Sequence, residues 1–268
     1  MAEDKEVLRE VWEGRLPVCF TLAQEEVFTT PEPYYLMVPR LSYFPLVTDK
    51  VKRHFLRYVA ADKHENEMWL EYEDTPLKWH YPIGVLFDMS HVESLPWNIT
   101  VHFDKFPEMK LIRGSNTREA VESQWMACLK EADALKHKGL VISQMQKKDQ
   151  HSLWQGLLND KFDQFWSVNR KLMESQEGFK HIPFRLYVPD SDTRPYIQAL
   201  VKPVSESGSK MTLLQLIQEA LHDDVIEQNI KVITHGVEVP LDSPVQWLSE
   251  HLSYPDSFLH LHLRYIHS

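Results

Sequence analysis

The chain has 268 residues, of which 43% are hydrophobic and 25% charged, with 8 Trp, 12 Phe and 10 Tyr; that is room for two or three small domains with a substantial core. The formal net charge of −10 argues against a general nucleic-acid binder, whose affinity rests on neutralising phosphates, and against strong non-specific adhesion to anionic membranes. No apolar run is long enough to span a bilayer, and the acidic opening Met-Ala-Glu-Asp-Lys-Glu gives no secretory signal.

Residues 4–12 have helical spacing, with Val7, Leu8, Val11 and Trp12 on one side. Residues 15–22 and 34–38 read as strands. Residues 48–59 read as an amphipathic helix with Thr48 as its cap. A hairpin follows, with a strand at 69–73, a turn at Asp74-Thr-Pro and a second strand at Leu77-Lys-Trp-His. A proline-started short helix in 81–88 leads to the alternating strand 97–103. Strand, strand, helix, hairpin and closing strand make one ubiquitin-like roll.

Gly114-Ser-Asn-Thr marks a break, and Asn116 with Glu119 has capping-box spacing for a helix. Helical periodicity then runs to about Met173, and Trp125, Trp154, Phe162, Phe165 and Trp166 are expected to pack inward. Residues 174–177 and Gly178 read as a linker. The same pattern then recurs. Strands are expected at 182–188 and 196–201, a helix at 212–222, a hairpin around His235-Gly, a proline-started helix near 243–249, and a closing strand at 258–263. The alternation of that last strand predicts a sheet with one wet face, with His260 and His262 at the surface. The expected fold class is therefore α+β, with two ubiquitin-like β-grasp domains flanking a helix-rich domain. The expected divisions are an N-terminal helix at 1–12, a first ubiquitin-like domain at 13–110, a helix-rich domain at 115–175 and a second ubiquitin-like domain at 180–268.

Paired modules of this kind suggest binding and assembly rather than turnover of a small molecule. Val121, Trp125, Cys128, Ala132 and Leu135 recur at four, three, four and three residues and form one apolar stripe. Lys130 falls roughly opposite it, so its amine is expected in solvent. An acceptor lysine needs that exposure, although an exposed helical lysine is ordinarily just a solvated charge. Lys136-His-Lys138 and Lys147-Lys148 are locally basic and read first as solvated helix surface. The two cysteines, Cys19 and Cys128, are far apart without a CxxC spacing; they fit a reducing compartment and offer no metal site. Cys128 falls on the buried stripe and reads as a small hydrophobe. No third ligand accompanies His260 and His262, and no phosphate loop, GxSxG or HExxH motif occurs. No catalytic residue, metal site or cofactor is expected.

Several stretches carry a closer likeness: Leu46-Val-Thr-Asp-Lys-Val51, Thr75-Pro-Leu-Lys-Trp-His-Tyr-Pro-Ile-Gly84, Pro96-Trp-Asn-Ile-Thr-Val-His-Phe103, Leu129-Lys-Glu-Ala-Asp-Ala-Leu-Lys-His-Lys138, Met145-Gln-Lys-Lys-Asp149, Lys161-Phe-Asp-Gln-Phe-Trp166 and Gln246-Trp-Leu-Ser-Glu-His-Leu-Ser-Tyr-Pro-Asp256. Through these, over essentially its full length, the chain resembles the animal form of the autophagy-related protein 5 family. The segments 189–194 and 205–209 depart most from it. The resemblance implies that Lys130 accepts the ubiquitin-like autophagy-related protein 12 in an isopeptide bond made by dedicated enzymes. It implies noncovalent binding of the N-terminal helix of autophagy-related protein 16. The assembly would then act like a ligase, through the lipid-conjugation enzymes, in attaching a second ubiquitin-like protein to lipid on autophagosomal membranes. The chain itself is expected to be cytoplasmic and peripheral on the phagophore membrane. Since it ends Arg264-Tyr-Ile-His-Ser268, without the C-terminal glycine of a modifier, it is expected to be acceptor rather than donor. For the partner helix, Arg40 and Gly84 are the candidates. Gly84 would permit close backbone approach and Arg40 would offer a planar donor to an acidic rim; Gly84→Glu is expected to weaken binding and leave the fold intact. The alternatives are a ubiquitin-like adaptor that assembles partners without covalent modification, and an enzyme using Cys128 or a histidine site.

Overall fold

The computed structural model describes residues 2–27, 30–173, 178–189, 195–205, 208–222 and 230–265. The expected linker at 174–177, residues 190–194 and 206–207 of the two variable segments, and residues 266–268 lie outside the described residues. The chain divides into two compact units, Glu13–Gln124 and Met1–Trp12 with Trp125–Ser268.

The first unit is built on β1 (Arg15–Leu22), β2 (Tyr34–Pro39), β3 (Trp69–Tyr72), β4 (Thr75–Pro76) and β5 (Trp97–His102), in the order β2-β1-β5-β3-β4. In β1, Leu16, Val18, Phe20 and Leu22 alternate into the core, as a strand with a period of two requires. β1 runs antiparallel to β2, with Arg15 opposite Pro39, and parallel to β5, with Val18 opposite Trp97. A parallel pair needs a crossover. Here α2 (Phe44–Val47), α3 (Asp49–Phe55) and α4 (Ile83–Met89) lie in the chain between the two strands. Trp97 is fully buried, and the rings of Phe44, Phe87 and Tyr72 stand 5.8, 5.4 and 5.9 Å from it.

Three local expectations change in this unit. Thr48 does not cap α3; its hydroxyl donates back to the Phe44 carbonyl at 2.7 Å and so closes α2. The hairpin's second strand is only Thr75–Pro76; the Leu77 N–H still bonds to the Leu70 carbonyl at 2.8 Å, and the Leu77 and Trp79 side chains are buried in the core. Asn116 is not the cap of α5 (Arg118–His137). Its amide donates to the Met68 carbonyl at 3.1 Å, and the Thr117 hydroxyl accepts from the Ala120 N–H at 3.1 Å.

In the second unit, α1 (Ala2–Glu13), α6 (Leu140–Gln144), α7 (Lys147–Leu158) and α8 (Phe162–Met173) join the rest of α5. Phe162, Phe165, Val168, Leu172 and Met173 of α8 are buried at helical spacing. Trp12 of α1 packs against Phe162 and Phe165, with ring centroids 6.0 and 5.0 Å away. Arg9 lies 4.5 Å above the Phe162 ring and pairs with Asp163 at 3.2 Å. Gly156 lets α7 and α8 close on each other, since a Cβ there would stand 2.7 Å from the Phe165 nitrogen.

The second sheet has β6 (Phe184–Tyr187), β7 (Ile230–Thr234), β8 (Val237–Glu238) and β9 (Leu259–Tyr265), in the order β6-β9-β7-β8. β6 and β9 are parallel, with Phe184 opposite Leu259, which repeats the pairing of β1 with β5. Between β6 and β7, α9 (Leu213–Leu221) starts at a capping box of Thr212 and Gln215. α10 (Val245–His251) follows Pro244. Leu213, Leu216, Ile217, Val232, Val245, Leu259 and Leu261 form the core between helix and sheet. The strand expected at 196–201 is reduced to a mutual Leu186–Ile197 pair and one bond from Ile182 N–H to the Val201 carbonyl. The Gln198 side chain turns out toward Glu131 at 3.3 Å instead. The wet face expected of β9 is also absent. Both faces are buried from Leu259 to Leu263, and Cys128 and Ala132 of α5 pack on Phe258 just before the strand.

Phe165 is fully buried, whereas Trp166 is only half-buried. Phe165→Ala is therefore expected to cost about 3–5 kcal/mol in urea denaturation, and Trp166→Ala clearly less. Equal losses would contradict this assignment of the α8 faces.

Candidate functional site

α5 carries the candidate acceptor. Val121, Trp125, Cys128, Leu129 and Ala132 are buried along one side. The Trp125 indole N–H donates to the Pro255 carbonyl at 2.9 Å, and its ring lies 5.5 Å from Trp154. Lys130 stands exposed, as its helical phase predicts. Among the described residues it makes no hydrogen bond or ion pair. The acids nearest it in sequence are engaged elsewhere: Asp133 is buried and accepts from the Ile142 N–H at 2.8 Å, while Glu131 meets Arg185 at 3.5 Å. Among the described residues no direct contact ties the Lys130 amine down, which suits an amine that must reach an enzyme-bound thioester.

Cys128 lies on the other side. Burial pushes its thiol up, Asp256 adds to this, and Arg185 opposes it. An activated cysteine needs the reverse.

His260 and His262 are not surface residues. They are 0% and 3% exposed, because α5 and the turn before β9 cover the face expected to be wet. The His260 ring bonds to Tyr187 Oη through Nδ1 at 2.8 Å and to Asp256 Oδ2 through Nε2 at 3.0 Å, while His262 stacks on Tyr187 at 4.6 Å. Asp256 also accepts from the Phe258 N–H at 3.0 Å. Burial alone would raise the Asp256 carboxyl, but His260, Arg185 and that N–H outweigh it and hold it below the usual carboxylate range. Among the described residues no group of three or more His, Cys, Asp or Glu is placed to hold a metal ion.

Lys136 is 2% exposed, not a solvated charge. Its Nζ lies 3.2 Å from Met173 Sδ and 4.6 Å from the centre of the Phe179 ring. Burial pulls its pKa down to about 7 against the pull of Glu250, Asp256 and Asp133.

Arg40 and Gly84 do come together, but not as a free donor beside an open backbone. Arg40 is 7% exposed, and its Nη2 donates to Asp88 Oδ1 at 2.6 Å and to the Gly84 carbonyl at 3.4 Å. The Gly84 N–H returns a bond to the Arg40 carbonyl at 2.7 Å. The guanidinium is committed inside its own unit, and Gly84 is itself buried within α4. Gly84→Glu is thus expected to disturb folding as well as any partner. Asp88, one helical turn after Gly84, was missed by the sequence reading; the i, i+4 spacing of Gly84 and Asp88 is the signal that could have found it.

Three family models match the chain in order: the Autophagy protein ATG5 UblA domain at residues 11–103, the alpha-helical bundle region at 118–175 and the UblB domain at 181–263. Autophagy protein 5 of Drosophila melanogaster is 51% identical over 99% of each chain. The chain belongs to the autophagy protein 5 family. Autophagy-related protein 5 of Caenorhabditis elegans is 35% identical, over 96% of this chain and 97% of that one, and the relation to animal members fits the animal form. The crystal structure of Kluyveromyces marxianus Atg5 matches with a TM-score of 0.77 at 20% identity, over 97% of this chain and 100% of that one, a likeness of fold. The two sheets are accordingly the ubiquitin-like domains that flank the helical bundle. Family membership gives the chain a role in autophagy as a conjugation scaffold, with partners in autophagy conjugation.

The buried Lys136 makes stability depend on pH. The unfolded chain keeps this proton up to about 10.4, whereas the folded chain releases it at about 7. Between these values the unfolded state binds more protons, so stability rises with pH through that window and is lowest below it. Urea denaturation at a series of pH values is expected to show the rise, and Lys136→Met to flatten it. An unchanged slope in the variant would assign the effect to another group.

Proposed function

We propose that this chain is the acceptor in a ubiquitin-like conjugation, with Lys130 taking autophagy-related protein 12 in an isopeptide bond made by the pathway's own activating and conjugating enzymes. The observation that carries the reading is the state of Lys130: exposed, without a partner among the described residues, and fixed to a helix whose opposite side is buried. A flexible amine on a rigid base can enter an enzyme's thioester site without first breaking an ion pair. The noncovalent partner is the N-terminal helix of autophagy-related protein 16. The assembly acts like a ligase in lipidation of a second ubiquitin-like protein, in the cytoplasm and peripherally on the phagophore membrane. Within it this chain supplies acceptor and scaffold and performs no catalysis of its own. Arg40 and Gly84 contribute to helix binding through the shape of the β2–α4 surface, since the Arg40 charge is already answered by Asp88.

Reconstituted conjugation with mass-spectrometric mapping of the branched peptide tests the reading. Lys130→Arg keeps charge and helix propensity and removes the competent amine. The adduct is expected to vanish while the circular dichroism spectrum and the melting transition stay as in the wild type. An adduct of undiminished stoichiometry in that variant refutes the assignment, and a wild-type chain that never forms one favours an adaptor that works without modification.

A further inference from the structure

We propose that Arg185 is a positioning residue for the transfer onto Lys130: its buried guanidinium fixes the turn of α5 that presents the acceptor amine. The inference rests on the reading of Lys130 given above and adds the residue that holds it in place. In the transfer the neutral Nζ attacks the thioester carbonyl carbon. A C–N bond forms, the C–S bond to the conjugating enzyme breaks, and the proton lost by the amine goes to the departing thiolate. Arg185 touches none of these atoms.

Its contacts bracket the acceptor. From β6, Nη2 donates to Cys128 Sγ at 3.4 Å and stands 3.5 Å from Glu131 Oε2. Those residues are two positions before Lys130 and one after it. The guanidinium is itself locked: Nη1 is 3.9 Å from Asp256 Oδ2, and Cζ sits 4.1 Å from the centre of the Phe258 ring and 4.9 Å from that of Tyr196. Asp256 is held by His260, and His260 by Tyr187. A continuous polar chain thus runs from the second ubiquitin-like sheet to the Lys130 turn. Stability alone is a poor reason for it. The Arg185 Nε is buried with no hydrogen-bond partner among the described residues, and an apolar side chain would fill such a space without that penalty. What a planar cation offers here is a fork that reaches Asp256, Cys128 and Glu131 together, which lysine cannot do. Transfer to an amine is sensitive to the placement of the reacting atoms, and loosening the base of a long side chain spreads the amine over unproductive positions.

The experiment measures the rate of transfer to the full chain as the concentration of thioester-loaded conjugating enzyme is varied, which gives kcat and KM, with amide exchange followed separately in the unmodified chain. Arg185→Met is expected to lower kcat about tenfold with the KM for the thioester unchanged, and to speed exchange at residues 127–133 more than elsewhere. Arg185→Lys is expected to fall between. Should Arg185→Met not fold, Cys128→Ala with Glu131→Gln leaves Arg185 on Asp256 and weakens its contacts to α5, while Trp125 and Ala132 keep the helix packed; it is expected to show the same kcat loss and the same local exchange. A purely structural role would lower the melting temperature and leave kcat per folded molecule and the local exchange pattern as in the wild type, and that result overturns the proposal. An adduct persisting in Lys130→Arg defeats the acceptor reading instead, while the exchange measurement, which needs no modifier, still judges the anchoring by Arg185.

Discussion

The second unit turns on a constraint at β9: a strand buried on both faces must satisfy every polar side chain it carries, because water cannot reach them. Leu259, Leu261 and Leu263 face the core shared with α9. The alternate positions are His260 and His262, and they are accommodated by Tyr187, Asp256 and Arg185 rather than by solvent. Helix α5 lies on this side over that network, in which the Arg185 Nε is left without a hydrogen-bond partner among the described residues. The Trp125–Pro255 bond and the packing of Cys128 and Ala132 on Phe258 then hold the helix there. The candidate acceptor is presented on the outer side of a helix whose inner side is fixed in this way.

The first unit solves a related problem with a single pair. Arg40 and Asp88 lie inside it at 2.6 Å, and the same arginine ties the end of β2 to α4 through the Gly84 carbonyl. Removing either charge would break a buried ion pair, which is far more destabilising than losing a surface pair. The sequence suggests Arg40 as a planar donor for a partner, and the geometry commits that donor to Asp88 instead. A role for this surface in helix recognition has to come from its shape and its backbone.

Much of the architecture was legible because it follows from short-range periodicity. The alternation in β1, the three-and-four spacing in α8 and the capping box at Thr212 are each contained within a few residues. The exposure of Lys130 was legible for the same reason: phase along one helix decides it. What escaped depended on residues far away in the chain. Lys136 looked like a solvated cation because Met173 lies 37 positions on, and Arg185 gave no signal because Cys128 lies 57 positions before it. His260 and His262 alternate as surface residues would, and only the covering helix changes their meaning. The proposed acceptor role rests on family resemblance; an exposed lysine has no local signature of being acylated.

The partial strand beside β6 also bears on how the molecule avoids its own kind. An open sheet edge is a template on which another chain can add a strand. In the second sheet one edge is β8, only Val237–Glu238, and the other is β6, whose outer side is occupied at Leu186 by the pair with Ile197. In the first sheet β4 is equally short, but β2 runs from Tyr34 to Pro39 at the opposite edge, with Tyr35 and Met37 exposed. Among the described residues β2 is therefore the long edge strand available for self-association by strand addition. That edge belongs to the first ubiquitin-like domain, so crowding of many copies would bear on β2 before any other strand.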